Sequence, residues 1–455
     1  MWKDVFAEMK SSRKTWGAYG FALAAGVIYL IQALDIARRT VSILDEGAYL
    51  LKGYLFITGQ YTPYQPYGPW TNKMPVSFLI PGAIQSIFGP DLGVGRYFAI
   101  LLGLLMLLGL WILANRLVGK WWAAGIVVFF ALNPGIISDY SQAVSQILVA
   151  CMLTWMLVLV VGKNQKTWQI ALGALLAGLI VMTRINLFFV LPFTALYLYW
   201  EHGKRIALTA VIGMLIPVLV GHVLYWPDIL HRYAVLFPRS ITPFLDPWRT
   251  AEPYSSLWDP KPDTGDRLLS LLQAARIQFV PIASALISWL LWPSKNKWQD
   301  QANYRAAVFL SALFISLMLF HIWAALGNDF CIYCFSGYLS FFSFIGLIIL
   351  ALTHRYWRRK IPAWLQAALF ILVILFAVSA GYGSFPEIGN QTLETKVPAT
   401  LEDFPDIEWI KLRKYLRVEH KIIASEARRQ VPALLGLGGG ILIAILGYEL
   451  WYRRS

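Results

Sequence analysis

Charge is scarce in this 455-residue chain: 14% of its residues are Asp, Glu, Lys or Arg, against 58% hydrophobic. That balance excludes a water-soluble globule, because one soluble core could not bury so much apolar surface. Cysteine is scarcer still, with three residues, and no thioredoxin-like context surrounds the pair Cys331 and Cys334. The sequence also lacks a Gly-rich phosphate loop, zinc-ligand spacing and a nucleophile elbow. These absences argue against a cytoplasmic nucleotide-sugar enzyme and against hydrolase chemistry. Acidic residues are outnumbered, 25 to 39, giving a formal charge of +14. The basic residues punctuate the ends of apolar runs instead of clustering on one module, so they report topology and not nucleic-acid binding.

What is present in abundance is apolar sequence in runs of about twenty residues, the length a helix needs to cross roughly 30 Å of hydrocarbon. Helices, not a barrel, are expected to carry the spans. About twelve are predicted, near 16–35, 93–114, 121–137, 141–161, 168–183, 187–200, 206–226, 268–292, 305–326, 332–353, 362–381 and 431–452. The first follows a basic start but has no small-residue cleavage site, and reads as a retained span. Arg116/Lys120, Lys163/Lys166, Lys204/Arg205, Lys295/Lys297, the basic run 354–360 and Arg453/Arg454 alternate as the positive-inside rule requires, which places both termini inside.

Three longer stretches then fall on the non-cytoplasmic side: 36–92, 227–267 and 382–430. In the first, 47–58 and 75–88 are apolar but too short to span and read as interfacial helices. The Pro- and Tyr-rich segment between them, which includes Tyr64, suits the headgroup layer or stacking on sugars. The second reads as an ordered cover over a site. The third holds a predicted helix from about Asp406 to Arg429 whose basic residues fit an outer location poorly. The organisation expected is a transmembrane module 1–226 that includes the loop 36–92, a cover 227–267, further spans over 268–381, the amphipathic segment 382–430, and a last span with its tail, 431–455.

Few residues could carry chemistry. Asp45 and Glu46 follow the first span and open an interfacial helix, where carboxylates also simply favour the helix dipole. Lys73 and Arg96 could each meet a phosphate or anchor a helix at the interface. Arg184 interrupts an apolar run between two spans, a position where ionisable groups tend to mark function. Asp139 is either a second site acid or a helix N-cap. His321 and Tyr333 sit near the outer ends of spans, with bundle packing as the competing role. Cys331 and Cys334 allow a disulfide or two free thiols, and Cys151 reads as membrane packing.

The order of features is more specific than any one of them. Leu44-Asp-Glu-Gly-Ala-Tyr-Leu-Leu-Lys-Gly is followed by Gly59-Gln-Tyr-Thr-Pro-Tyr, Asn72-Lys-Met-Pro, Ile87-Phe-Gly and Gly95-Arg-Tyr-Phe before a Leu-rich span. Over roughly residues 16 to 200 this resembles the GT-C integral membrane glycosyltransferases of the protein O-mannosyltransferase and aminoarabinose transferase group. The resemblance implies an all-α polytopic GT-C fold with interfacial helices in the first outer loop. It also implies a polyprenyl-phosphate-linked sugar as donor and a lipid, glycan or protein acceptor. Asp45 takes the place of the family's catalytic carboxylate, Glu46 supports it, Lys73, Arg96 and Arg184 are donor-phosphate candidates, and Tyr64, Asp139, Tyr333 and His321 are substrate-binding candidates. Asp139 stands a few residues before the family's usual acid. Asp45 and Asp139 are the candidate ligands for a hard divalent ion, and the resemblance leaves metal dependence open.

The expectation is therefore a multi-pass cell-membrane glycosyltransferase, acting at the outer face on cell-envelope or protein glycosylation, with membrane lipids and no nucleic acid as partners. Two other classes compete: a transporter or lipid flippase with Arg184 as substrate counter-charge, and a non-catalytic assembly subunit docked through the basic helix 406–429.

Overall fold

The computed structural model describes residues 2–40, 42, 44–62, 74–249, 264–327, 335–357, 362–384 and 421–452. Among them all regular structure is helical, as the sequence predicts. The helices are α1 (Trp2–Arg39), α2 (Leu44–Ile57), α3 (Val76–Phe88), α4 (Leu92–Val118), α5 (Lys120–Ala131), α6 (Pro134–Ser141), α7 (Ser145–Val160), α8 (Thr167–Thr183), α9 (Val190–His202) and α10 (Lys204–Leu224). Then come α11 (Leu230–Leu236), α12 (Thr264–Ile277), α13 (Phe279–Leu290), α14 (Gln301–Ile322), α15 (Phe335–Leu339), α16 (Ile345–Thr353), α17 (Ala363–Ser384) and α18 (Lys421–Tyr452).

Two kinds of apolar helix are present, and their surroundings separate them. The α7 sequence is apolar all round, and nearly every side chain from Ser145 to Val160 is buried, so it forms the centre of the bundle. Along α10, by contrast, Leu208, Ile212, Leu215, Leu219, Val223 and Leu224 stand exposed. Such a surface is tolerable only in lipid. Among the described residues five helices are long and apolar enough to cross a membrane: Trp16–Arg39, Leu92–Val118, Lys204–Leu224, Gln301–Leu326 and Pro432–Glu449. Most of the others are shorter. The α5 segment bends into α6, and the expected spans 268–292 and 332–353 are each broken, at Gln278 and between Leu339 and Ile345. Several predicted spans are thus pairs of short helices, an outcome that hydropathy windows smooth over.

The two short apolar segments of the first loop do form helices, α2 and α3, and they pack against each other. Gly53 and Gly82 make the crossing possible: a Cβ on Gly53 would overlap the Phe78 carbonyl oxygen, and one on Gly82 would overlap the Gly53 backbone. At one end of the bundle basic residues cap helices. Arg116 Nη2 donates to the carbonyls of Val158 and Val161, both at 2.8 Å, and Arg355 donates to Val118 O. These residues, legible in sequence as topology markers, satisfy C-terminal carbonyls that helices leave open.

Of the expected cover 227–267, the stretch 227–249 and residues 264–267 are described. Arg249 ties the first of these together: Nε donates to Asp246 Oδ1 at 3.0 Å, Nη1 to the carbonyls of Phe237, at 2.9 Å, and Ala234, and Nη2 to Thr242 Oγ1 at 2.8 Å. Residues 250–263 lie outside the described residues, as do 385–420 with most of the expected basic helix. Its last part, from Lys421, runs without a break into the final span.

Candidate functional site

The acidic pair opens α2, and its two members have different fates. Glu46 is fully buried (0% exposed) against Arg96 on α4 (3% exposed). Arg96 Nε donates to Glu46 Oε1 at 2.9 Å and Nη2 to Oε2 at 2.7 Å, a two-point pairing that suits the planar guanidinium. Its Nη1 donates to the carbonyls of Ala37, at 2.6 Å, and Thr40, at 2.7 Å, at the end of α1. Glu46 Oε1 also accepts from the backbone N–H of Ala143 at 2.9 Å. One ion pair therefore fixes α1, α2, α4 and the turn before α7. This corrects two expectations: Arg96 is committed to structure and not to a phosphate, and Glu46 is a buried anchor and not a reacting acid. The physical reason is burial, since a carboxylate removed from water needs a partner and Arg96 supplies it.

Asp45, one residue earlier, is only half-buried. Its carboxylate acts electrostatically on Arg184 and on Tyr338. Arg184 follows the last residue of α8, where the chain breaks before the single 3-10 turn Ile185–Leu187. Its Nε donates to Ser145 Oγ at 2.7 Å, at the start of α7. Tyr49, one turn after Asp45 on α2, reaches the same Ser145 Oγ at 3.2 Å. The Arg184 guanidinium lies over the rings of Tyr49 (5.9 Å), Tyr338 (5.9 Å) and Phe341 (5.5 Å). The ring faces and the Asp45 carboxylate favour the charge that burial opposes.

The cover adds a second cation. Arg232 on α11 is 8% exposed and acts electrostatically on Tyr338. Ile229, just before α11, packs with Met182 and Ile185, which flank Arg184 in sequence.

The remaining candidates divide. His321 is fully buried (0% exposed) and its Nε2 meets Asn186 Nδ2 at 2.9 Å. It is therefore removed from direct substrate contact, contrary to its assignment as a binding residue. Asp139 lies in the body of α6 beside Tyr140, whose hydroxyl donates to Ser340 O at 2.6 Å. Asn133, not Asp139, caps that helix, accepting from Ile136 N at 3.1 Å. Cys151 is buried, as expected of packing. Tyr64, Lys73, Tyr333, Cys331 and Cys334 lie outside the described residues.

Among the described residues no three His, Cys, Asp or Glu side chains gather into a group that could hold a metal ion. Glu46, which neighbours the candidate ligand Asp45, is taken up by Arg96 and the Ala143 N–H.

Sequence reasoning missed Tyr49, Ser145, Arg232 and Tyr338. Tyr49 was reachable, since a residue four positions after Asp45 shares its helix face. Arg232 carried a faint signal as a cation within Ile229-Leu-His-Arg-Tyr-Ala-Val. Ser145 and Tyr338 carried none, because only tertiary packing brings them to Arg184. Asp45, Arg184 and Arg232 all act electrostatically on Tyr338, which brings a carboxylate suited to accept a proton and two cations suited to stabilise an anion into one neighbourhood.

Comparison with known proteins agrees with this architecture. Residues 72–230 match the family model described as dolichyl-phosphate-mannose-protein mannosyltransferase. The crystal structure of ArnT from Cupriavidus metallidurans bound to undecaprenyl phosphate is similar over 94% of this chain and 77% of that one, with 15% identity and a TM-score of 0.51. Archaeal oligosaccharyltransferase AglB from Archaeoglobus fulgidus, in complex with an inhibitory peptide and a dolichol-phosphate, is similar over 88% of this chain and 59% of that one, with 13% identity and a TM-score of 0.39. No curated protein sequence matches the chain. The molecule is a polytopic α-helical membrane protein with the GT-C fold. At 15% identity the likeness to ArnT is one of fold, and the family model matches residues 72–230.

Proposed function

We propose that the protein transfers a monosaccharide from a polyprenyl-phosphate donor to a hydroxyl of a lipid, glycan or protein acceptor at the non-cytoplasmic face. The observation that carries the reading is the placement of the half-buried Asp45 within electrostatic reach of both Arg184 and Tyr338. Asp45 accepts the proton of the acceptor hydroxyl as its oxygen bonds the anomeric carbon. The bond from that carbon to the phosphate oxygen breaks, and polyprenyl phosphate departs with the electron pair. A single displacement of this kind inverts the anomeric centre. The leaving phosphate needs cations more than it needs a proton, and Arg184 and Arg232 meet that need. Lys73 joins them on the family resemblance. The match to a mannosyltransferase model and the fold of a protein solved with undecaprenyl phosphate support the donor class.

The test is transfer by the purified full-length protein in lipid nanodiscs, supplied with polyprenyl-phosphate sugars and membrane extract and read by mass spectrometry. A glycosylated product formed by the native chain and absent with Asp45→Asn is the expected result. Undiminished transfer by Asp45→Asn, or substrate movement across proteoliposomes with no chemical change, would overturn the proposal.

A further inference from the structure

The Arg184 guanidinium is held by a weak piece of backbone. Arg184 N donates to Ile180 O at 2.9 Å, and Leu187 N and Phe188 N close the following turn on Arg184 O and Ile185 O at 3.1 and 3.0 Å. One 3-10 turn between two helices has little rigidity of its own. Something outside it must fix its angle.

Asn186, the middle residue of that turn, meets His321 on α14, 135 residues away in sequence, at 2.9 Å. The direction of this bond is set by the other ring nitrogen. His321 Nδ1 lies 2.7 Å from Leu317 O, and a carbonyl oxygen only accepts, so Nδ1 carries the hydrogen. A second proton would put a full charge on a side chain that is 0% exposed and ringed by Phe320, Phe341 and Phe342. Nε2 is then a lone pair, and the Asn186 amide must present its NH2 group to it. His321 also packs against Tyr338 and Phe341, with ring centroids at 6.2 and 6.1 Å. Those are two of the three rings beneath the Arg184 guanidinium. The histidine thus touches both the turn that carries Arg184 and the aromatic shelf on which its charge rests.

Packing alone does not account for the pair. The arrangement leaves Asn186 Oδ1 buried with no hydrogen-bond partner among the described residues. That is a cost two apolar side chains of similar size would avoid.

We propose that His321 is a positioning residue which, through Asn186 and the Tyr338–Phe341 shelf, sets the orientation of Arg184 toward Ser145 and the anionic group of the substrate. The inference rests on the proposed reading of Arg184 as a phosphate ligand.

Two measurements test it on the full-length protein. The first is binding of undecaprenyl phosphate to the chain in nanodiscs, with thermal unfolding recorded in parallel. His321→Leu should weaken binding about tenfold, since small misplacements of a positioned group carry large penalties. His321→Gln, whose side-chain oxygen can accept from Asn186, should restore most of it. In an Arg184→Ala background His321→Leu should add nothing further. Native affinity in His321→Leu with only a lowered unfolding temperature, or an equal loss in the Arg184→Ala background, would overturn the inference. The second measurement needs no ligand: in a structure of His321→Leu, Arg184 Nε should have left hydrogen-bond reach of Ser145 Oγ. An unmoved Arg184 would refute the positioning role whatever the lipid does. Absence of saturable, Arg184-dependent lipid binding in the native chain would instead count against the phosphate reading.

Discussion

Glu46 and Arg96, fifty positions apart, meet in a two-point ion pair from which water is excluded, and the carbonyls of Ala37 and Thr40 complete the arginine's surroundings. Removing one member leaves a buried charge without its partner. Glu46→Gln should therefore destabilise the protein by about 3–5 kcal/mol, seen as a lowered midpoint of thermal unfolding in detergent. Combining it with Arg96→Gln should recover part of the loss, because the orphaned cation goes too. A Glu46→Gln protein of native stability would show that the pair is not the anchor described.

The neighbouring residue should behave in the opposite way. Asp45→Asn keeps a small polar group at the start of α2, so the unfolding midpoint should stay near that of the native chain. Transfer should fall by roughly 10²–10⁴-fold, the usual range for a lost general base. Two adjacent acids that separate so cleanly, one by stability and one by rate, would confirm their different environments.

Arg184→Lys tests shape against charge. Lysine keeps the cation but has no Nε fork to satisfy Ser145 while facing a phosphate. Binding of a polyprenyl phosphate should weaken markedly, and more than in Ser145→Ala, which removes one hydrogen bond of about 1 kcal/mol. Equal affinity in Arg184→Lys and the native chain would reduce Arg184 to a point charge.

At the crossing of α2 and α3 the prediction is steric. Gly53→Ala places a methyl group against the Phe78 carbonyl, so the helices must separate, at a cost of about 1–3 kcal/mol. Because α2 carries Asp45 and Tyr49, transfer should decline with stability in this variant. Gly47→Ala on the same helix meets nothing nearby and should leave the unfolding midpoint unchanged.

The cover can be probed by proteolysis. Arg249→Ala removes the hydrogen bonds that hold 234–249 together, and brief protease treatment should then cut within 230–249 while the bundle stays intact. Resistance equal to the native chain would mean that the segment is held by its apolar contacts alone.

How far the sequence foretold this can be judged from particular residues. Hydropathy alone identified a helical membrane protein, because apolar runs of spanning length have few other fates. It could not show that α5, α12 and α15 stop early, since a break at Gln278 or near Leu339 leaves the window average unchanged. Arg184 was legible as a charge with no local excuse. Arg96 was misread for an instructive reason: its partners Ala37, Thr40 and Glu46 come from the end of α1 and the start of α2, fifty or more residues away, and nothing local distinguishes a buried anchor from an interfacial phosphate ligand. His321 was a substrate-binding candidate on the family resemblance, with bundle packing as its competing role near the end of a span. Only the packing of α14 against the Ile185–Leu187 turn turns it inward.

On the proposed reading, two helices of modest length set the depth of the site. From the ends next to Lys163 and Lys166, α7 rises 16 residues to Ser145 and α8 rises 17 to the residue before Arg184, about 24–26 Å at 1.5 Å per residue. Hydrocarbon is roughly 30 Å thick. On the proposed reading the guanidinium therefore waits slightly beneath the surface of the bilayer. A phosphate tethered to a long apolar chain could be drawn down to it without the chain leaving the lipid, whereas a water-soluble anion would have to descend from the aqueous phase. The stature of α7 and α8 would then act as a filter, favouring substrates that already live in the membrane.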